Sequence, residues 1–484
     1  MTAPDQENSM THDRPAIVWF RQDLRTSDNP ALHAASRSGR PVIPVYVLDD
    51  ENAGDWRMGA ASRWWLHHSL SSLQRSFGDR LVLLRGDASR LIPELVQATG
   101  AAAVFWNRCY EPWRIARDGR IKEDLKQSGI EVRSFNGSLL WEPANTLKPN
   151  GEPYRVFTPF FRKGCVANGI PPRQPIDAPT ALRAFDHHPG LELDALELLP
   201  KVRWYDGLSA AWSPGEADAR QQLTEFIATG LDAYSEGRDR PDRPFVSRLS
   251  PHLHFGELSP NQAWYAVKAA RPEPDDNADR FLAELGWREF SYNLLYHEPT
   301  LVDRNLQRKF DRMTWPADEG LLAAWQRGRT GVPFVDAGMR QLWRTGYMHN
   351  RVRMVVGSFL VKNLQQDWRS GARWFWDTLV DADLANNSAS WQWVAGTGAD
   401  AAPYFRIFNP VTQGRKFDPE GQYVRSYVPE LAGLPDKYLH CPWEAPEEVL
   451  LAAGVRLGDT YPLPVVDLKA SRERALAGFK SLSA

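Results

Sequence analysis

Residues 42–48 read VIPVYVL, an uninterrupted apolar run that is rich in β-branched side chains. Such a run is typical of a parallel strand that is buried on both faces of a sheet. Similar runs predict three more strands, at Ile17–Phe20, Leu81–Leu84 and Ala103–Trp106, and a fifth strand is expected at Glu131–Phe135. Helical patterns separate them, at 30–38, 60–77, 89–98 and 115–128. This alternation predicts an N-terminal α/β domain with a doubly wound parallel sheet over residues 14–142.

The rest of the chain has a different pattern. Between Pro143 and Pro200 prolines are frequent and hydrophobic periodicity is poor, which predicts a long surface connector over residues 143–212 with about one turn of helix. After Ser213-Pro214-Gly215-Glu216 helical periodicity takes over, and strand-like alternation does not return. We therefore predict a large all-α C-terminal domain over residues 213–484.

The composition excludes several classes of protein. With 484 residues, 43% of them hydrophobic and 24% charged, the chain is long enough for several domains, each with its own core. A net charge of −2 excludes a histone-like basic protein but permits a local basic face. Three widely spaced cysteines exclude a disulfide framework and a thiolate zinc site. The polar N-terminus has no signal-peptide core, and no run of about 18 apolar residues follows. We therefore expect a cytoplasmic protein without membrane contact.

Two motifs suggest sites that their context does not support. Gly396–Ala401 fits the dinucleotide fingerprint G-x-G-x-x-A but does not follow a strand, which argues against nucleotide binding of that type. His252 and His254 could be metal ligands, but no carboxylate or cysteine lies at ligand spacing nearby, so we expect an ordinary loop pair and no metal site. The sequence also lacks the G-x-S-x-G and H-E-x-x-H motifs of simple hydrolases.

Side chains that could take part in binding or catalysis are concentrated between residues 284 and 413. On a helix, Glu284, Trp287 and Arg288 share one face and could bind a flat, anionic, hydrogen-bonding ligand. The alternative is a salt bridge beside a packed indole. Residues 337–366 contain five lysines and arginines, no acid, and an interleaved Trp343 and Tyr347. This pattern suits a phosphate backbone with exposed bases, and the alternative is a solvated helix face.

A third cluster, residues 381–393, compresses two acids, two amides and two indoles into thirteen positions. If it is helical, Asn387 and Trp391 share a face. Buried acids need partners, and the arginine-rich segment just before is the nearest source. The alternative is capping acids plus core tryptophans, although Asn386 and Asn387 inside a helix are costly without partners.

Taken together, the motifs resemble those of the photolyase/cryptochrome flavoprotein family, most closely the bacterial cyclobutane pyrimidine dimer DNA photolyases and their plant-cryptochrome-like subclass. Each motif is weak alone, whereas eight in the family's order are highly specific. The motifs are WFRQDLR at 19–25, YRVFTPF at 154–160, SRLS at 247–250, WREF at 287–290, MHNR at 348–351, Asp381 with Asp383, WQW at 391–393, and YFRIFNP at 404–410.

The resemblance implies that the helical domain binds FAD. Tyr234 and residues 246–250 would hold the pyrophosphate and ribityl part, and Arg288 would approach the phosphates. Asn387 would face the flavin N5, where plant cryptochromes have Asp, and this difference favours repair over signalling. The implied cofactor-binding residues are Tyr234, Val246 (usually Thr in the family), Ser247, Arg248, Leu249, Ser250, Arg288, Asn350, Arg353, Asp381, Asp383 and Asn387, with Arg353 as the partner of Asp381.

The resemblance also assigns roles to tryptophans and to substrate contacts. Trp391, Trp368 and Trp315 match the family's chain for electron transfer to the flavin, although each is also a good core residue. Glu284 would hydrogen-bond a flipped-out thymine pair, and Asn350, where (6-4) photolyases have histidine, favours the cyclobutane lesion. The implied substrate and DNA contacts are Arg238, Glu284, Trp287, Asn350, Arg351, Met354, Trp393 and Gln413.

The implied activity is light-dependent repair of cyclobutane pyrimidine dimers in DNA, in which photo-excited reduced FAD lends an electron to the flipped-out dimer. The alternative is a cryptochrome-type photoreceptor without repair activity. The absence of a long polar tail after residues 469–484 favours repair. We also expect a monomer and an antenna chromophore, with methenyltetrahydrofolate the leading candidate, near Arg21–Arg25 and Val47–Asp50 at the carboxyl ends of the strands.

Overall fold

The computed structural model describes residues 13–78, 80–185, 190–400, 404 and 406–482. Within the first part, five parallel strands form one sheet in the order β3-β2-β1-β4-β5. The strands are β1 (Ala16–Phe20), β2 (Val42–Leu48), β3 (Val82–Arg85), β4 (Ala103–Asn107) and β5 (Glu131–Phe135). The predicted parallel sheet is confirmed, and β2 and β5 have the predicted bounds.

Helices cover both faces of this sheet, as the continuous apolar strands require. They are α1 (Pro30–Arg37), α2 (Ala60–Phe77), α3 (Ala88–Thr99) and α4 (Pro112–Gln127). Leu32 of α1 and Trp65 of α2 belong to the apolar cluster on one face. Ile92 of α3 and Ile121 of α4 belong to the cluster on the other face. The doubly wound arrangement is therefore confirmed.

The connector contains more structure than the single turn predicted. It includes α5 (Phe157–Pro159), a wider helical turn at Phe160–Val166, a 3₁₀ turn at Leu193–Leu196, and α6 (Asp206–Ala211). Leu196 and Leu208 are fully buried in the same cluster as Trp65. The connector also bonds to β3, since the amide of Leu191 donates to the carbonyl of Leu83 at 2.8 Å. It therefore packs as part of the protein core, and the domain boundaries at 142 and 212 stay predictions.

The second half is helical, as predicted, and no strand forms among its described residues. Its helices are α7 (Glu216–Glu225), α8 (Tyr234–Gly237), α9 (Ser250–Phe255), α10 (Pro260–Ala270), α11 (Asp276–His297), α12 (Glu319–Gln326), α13 (Pro333–Thr345), α14 (Asn350–Ser358), α15 (Trp368–Thr378), α16 (Leu384–Ala395), α17 (Pro410–Phe417), α18 (Gln422–Tyr427), α19 (Asp436–Leu439), α20 (Glu447–Ala452) and α21 (Leu468–Ser481). In the described ranges, no helix is long and apolar enough to span a bilayer.

Polar contacts fix the two halves to each other. Glu216, the first residue of α7, accepts hydrogen bonds from the backbone amides of Thr26 and Ser27, at 2.7 and 3.0 Å. The indole of Trp65 donates to Glu257 at 3.1 Å, and Arg25 donates to the carbonyl of Gly256 at 2.8 Å. Because these groups are largely buried, they orient the α/β domain on the helical domain.

Candidate functional site

Four helices of the second half, α11, α14, α15 and α16, line a cavity of about 370 Å³. This volume is in the range of small-molecule sites. The cavity brings together many of the residues that the sequence singled out. These are Arg238, Glu284, Trp287, Asn350, Arg351, Arg353, Met354, Asp381, Asp383, Asn387, Trp391 and Trp393.

One part of the cavity wall, the buried wall, is formed by Asp381, Asp383, Asn387 and Trp391. Each of these residues is less than 10% exposed. Asp383 caps the start of α16, where its carboxylate accepts the backbone amide of Asn386 at 2.8 Å. The helix begins there because the cap satisfies an amide that would otherwise lack a partner. Asn387 and Trp391 then follow one turn apart and both reach the cavity.

Asp381 is held by two partners. Arg353 places one guanidinium nitrogen 2.9 and 3.1 Å from the two carboxylate oxygens, which is the predicted pairing. The hydroxyl of Ser250 donates to the same carboxylate at 2.6 Å. Ser250 therefore connects the segment 246–250 to the cavity wall.

Asp383 belongs to a second polar network that the sequence did not reveal. Its Oδ2 lies 3.2 Å from Nδ1 of His254 and accepts the hydroxyl of Tyr292. Burial works to raise the pKa of this carboxyl group, but His254, Arg288 and Tyr292 outweigh burial and hold the pKa well below its usual range. The group therefore stays ionised although it is buried.

The expectation of an ordinary loop pair at His252 and His254 is wrong. Both lie in α9, and each contacts a carboxylate: His252 pairs with Glu257 and His254 with Asp383. Glu257 lies only five positions after His252, so a partner was available from local sequence. Among the described residues, no group of three or more His, Cys, Asp and Glu could hold a metal ion.

The other part of the wall, the half-exposed wall, carries Arg238, Glu284, Trp287, Arg351 and Trp393. Arg238 forms an ion pair with Glu284. Arg351 pairs with Asp239 at 2.7 Å and lies over the ring of Phe417. Both arginines therefore have carboxylate partners here, and a bound phosphate would have to compete for them.

The three predicted electron-transfer tryptophans share one apolar cluster. Trp391 borders the cavity, Trp368 is fully buried, and Trp315 is partly exposed. The indole of Trp368 donates to Asn305 at 2.9 Å. Sequence reasoning missed Trp325, whose ring centre lies 6.3 Å from that of Trp391.

Other predicted residues lie away from the described lining of the cavity. Arg288 donates to the carbonyl of Ser138 and lies over the ring of Tyr292. Tyr234 packs among phenylalanines, and Arg248, at a positive φ of 54°, lies over Trp212. Residues outside the lining also include Val246, Ser247, Leu249, Ser250 and Gln413. Their binding roles stay predictions.

The carboxyl ends of the strands, where the sequence predicts an antenna site, contain paired side chains. Arg21 bonds to Asp118 at 2.6 Å, and Arg117 bonds to Asp49 at 3.0 Å and to Asp118 at 2.8 Å. Arg25 is buried and donates to backbone carbonyls. At this edge the charged groups are therefore paired with one another, although Nε of the buried Arg21 has no hydrogen-bond partner among the described residues.

The donors and acceptors of the buried wall fit a flat heteroaromatic cofactor such as FAD. The amide nitrogen of Asn387 donates to the carbonyl of Ala372 at 3.0 Å, whereas its carbonyl oxygen has no hydrogen-bond partner among the described residues. Because Asn387 lines the cavity, this oxygen can accept a hydrogen bond from a ligand. The ionised Asp381 with Arg353, and the indole of Trp391, add charged and aromatic surface around the same space.

Comparisons with known proteins agree with this geometry. A family model of the FAD binding domain of DNA photolyase matches residues 281–481, and a model of DNA photolyase matches residues 16–179. The chain is 52% identical to a deoxyribodipyrimidine photo-lyase of Agrobacterium fabrum, over 97% of this chain and 98% of that protein. It is 41% identical to cryptochrome-1 of Arabidopsis thaliana, over 95% of this chain and 69% of that protein.

Solved structures give the same result for the fold. A bacterial class III photolyase from Agrobacterium tumefaciens matches with a TM-score of 0.93 and 51% identity, covering 97% of this chain and 98% of that one. An archaeal photolyase from Sulfolobus tokodaii, solved with two FAD molecules, matches with a TM-score of 0.82 and 31% identity, covering 96% of this chain and all of that one.

Proposed function

The chain belongs to the photolyase/cryptochrome family, and from this premise we propose that it is a deoxyribodipyrimidine photo-lyase that repairs cyclobutane pyrimidine dimers in DNA under light. One observation carries the proposal. A single cavity joins the buried wall, which suits FAD, to a half-exposed wall that carries Glu284, Trp287 and Trp393. The near full-length identity of 52% to a protein of that name supports it further.

Bound FAD would supply a light-excitable electron donor. On the protein side, Asn387 would offer its free carbonyl oxygen to the flavin ring, and Asp381 with Arg353 would border the same ring. Ser250 would hold Asp381 in place. We assign Tyr234, Val246, Ser247, Arg248, Leu249 and Arg288 to the remainder of the cofactor on the family resemblance alone.

The half-exposed wall would bind the flipped-out dimer. Extruding bases costs a few kcal/mol, and stacking on an aromatic ring returns ~1–3 kcal/mol per base. Trp287 and Trp393 offer two such rings on the cavity. Glu284 would hydrogen-bond the thymine edge, and Asn350 and Met354 would complete the pocket.

DNA phosphates would be bound near the cavity opening. Arg238 and Arg351 have carboxylate partners in the free chain, so phosphate binding would exchange one anionic partner for another. Release of Glu284 from Arg238 would leave its carboxylate available to the dimer. Gln413, half-exposed on α17, is assigned to the same surface by resemblance.

Electrons would reach the buried wall through Trp391, Trp368 and Trp315. Their shared apolar cluster, the position of Trp391 on the cavity and the partial exposure of Trp315 support this path. Indole is suited to the role because it is easily oxidised and large enough to keep successive rings close.

Three further proposals rest on the resemblance. They are an antenna chromophore, with methenyltetrahydrofolate preferred, a monomeric state, and a cytoplasmic location, the last in keeping with three free, buried cysteines. Spectra of the purified protein would identify the chromophore, and light scattering would give the mass.

The decisive experiment is a repair assay. Chemically reduced holoprotein is mixed with an oligonucleotide that contains one thymine dimer and is illuminated with blue light, with a dark sample as control. We expect intact thymines to return only in the light. Efficient photoreduction of the flavin without any repair would contradict the proposal and support the cryptochrome-type photoreceptor instead.

A further inference from the structure

Three aromatic rings, two from the connector and one from α11, form a continuous stack beside the cavity. The ring centre of Phe157, in the connector, lies 3.8 Å from that of Trp287 in α11, with the planes 9° apart. Phe161 continues the stack at 5.6 Å, again at 9°. Among the described lining residues of the cavity, Trp287 is present and Phe157 is not. Phe157 therefore covers one face of an indole that also borders the cavity.

Gly286 makes this stack possible. It directly precedes Trp287 and is the only glycine in α11, where glycine costs about 1 kcal/mol relative to alanine. A β-carbon at this position would lie 2.5 Å from a ring carbon of Phe161. α11 therefore has a residue of low helix propensity at the position where a larger side chain would collide with the ring of Phe161.

Two polar contacts hold the connector segment over α11. The backbone amide of Phe157 donates to the carboxylate of Asp400 at 2.9 Å, and Asp400 follows Ala399, which lines the cavity. Arg155 pairs with Glu298, just after α11, at 2.5 Å. The ring of Phe157 is therefore fixed by its own backbone as well as by stacking.

We propose that Phe157 is a positioning residue for substrate recognition, which fixes the plane of the Trp287 indole on which the flipped-out pyrimidine stacks. The inference rests on the proposed function. A half-exposed indole without a backing ring would sample several rotamers and lose that freedom when a base stacks on it. A parallel ring on its outer face restricts the indole before the base binds, so that binding costs less conformational entropy. In this way the connector contributes to recognition of the lesion.

The test compares three substitutions at one position in the holoprotein. Phe157→Ala removes the ring, Phe157→Leu keeps apolar volume without a flat face, and Phe157→Tyr keeps the ring. Equilibrium binding is measured with one oligonucleotide that contains a thymine dimer and with the same sequence undamaged. We expect Phe157→Ala and Phe157→Leu to bind the damaged strand about tenfold more weakly, with unchanged affinity for the undamaged strand. Phe157→Tyr should resemble the wild type.

Val156→Ala is the matched control, because its side chain is 46% exposed and lies next to Phe157 without joining the stack. Flavin content per protein and the unfolding midpoint are measured for every variant. Equal loss of affinity for both oligonucleotides would reduce Phe157 to a structural residue and overturn the inference. Wild-type discrimination by Phe157→Leu would overturn it too.

Failure of the proposed function has a different signature. If the wild type neither repairs the dimer nor prefers damaged DNA, the proposed function fails and this inference fails with it. If the wild type does both and the Phe157 variants discriminate equally well, only the inference fails.

Discussion

The carboxyl edge of the sheet and the helical cavity both gather buried charge, but they satisfy it in different ways. At the sheet edge, Arg21 and Arg117 pair with Asp118, and Arg117 also reaches Asp49. In the cavity, the carbonyl oxygen of Asn387 has no partner among the described residues. Open parallel sheets commonly bind ligands at this edge, yet here it is filled by internal ion pairs. At the sheet edge the charged groups contact one another, whereas in the cavity Asp381, Arg353 and Asn387 border open space that a ligand can enter.

The largest effect should come from Trp391, which belongs to the cavity side of this comparison. Trp391→Phe replaces the indole with a ring that is much harder to oxidise, so we expect light-driven reduction of the bound flavin to stop. Repair should persist after chemical reduction. Absorbance during illumination measures the first result and the oligonucleotide assay the second.

Trp106→Phe is the matched control, since Trp106 is as deeply buried but lies in the sheet. It should retain photoreduction. Undiminished photoreduction in Trp391→Phe would remove this tryptophan from the electron path.

Asp118→Ala tests the sheet edge itself. It leaves the buried guanidinium of Arg21 without its carboxylate and removes one of the two partners of Arg117. We expect the free energy of unfolding to fall by about 3–5 kcal/mol. Chemical denaturation measures the fall. Flavin content of the folded protein should not change, and its loss would show that the two regions are coupled.

Glu284→Ala removes the carboxylate that is proposed to bind the thymine edge. A hydrogen bond to a charged group contributes about 1.5–3 kcal/mol, so affinity for the dimer-containing oligonucleotide should fall about 10- to 100-fold, and repair at limiting protein concentration should fall with it. The flavin spectrum should be retained. Glu94→Ala, which breaks an exposed ion pair in α3, is the control and should repair normally. Normal repair in Glu284→Ala would exclude this role.

The smallest expected effect concerns the DNA backbone. If Arg351 contacts one phosphate, Arg351→Gln should reduce the slope of log affinity against log salt by about 0.9. The affinity change should be similar for damaged and undamaged DNA. Titrations at several salt concentrations measure the slope, and an unchanged slope would place Arg351 outside the interface.

Local patterns in the sequence were sufficient to predict most of the fold. The bounds of β2 and α2 match the prediction, because a strand buried on both faces forms a continuous apolar run and a helix repeats every 3.6 residues. β5 also has the predicted bounds, although it is a partly exposed edge strand. Asn387 and Trp391 meet at the cavity for the same reason. The prediction was weaker for the connector, whose packing depends on contacts that no local pattern encodes.

The site shows the same limit. Glu284, Trp287 and Ser291 follow the stripe of α11 that lines the cavity, whereas Arg288 lies about 100° further round than Trp287 and donates to the carbonyl of Ser138 instead. The helical spacing placed the three candidates Glu284, Trp287 and Arg288 on one face of α11. It did not predict which part of that face borders the cavity. The contact between His254 and Asp383 joins positions 129 residues apart and has no local signal.

The bond from Leu191 to Leu83 has a consequence for how the protein can be divided. β3 is the last strand on its side of the sheet, and Gly190 approaches it so closely that a β-carbon would lie 2.7 Å from the amide of Leu83. A fragment cut at residue 142 would lack this cover and expose an open template for pairing with other chains. Such a fragment should aggregate, so the connector also acts as a safeguard against self-association.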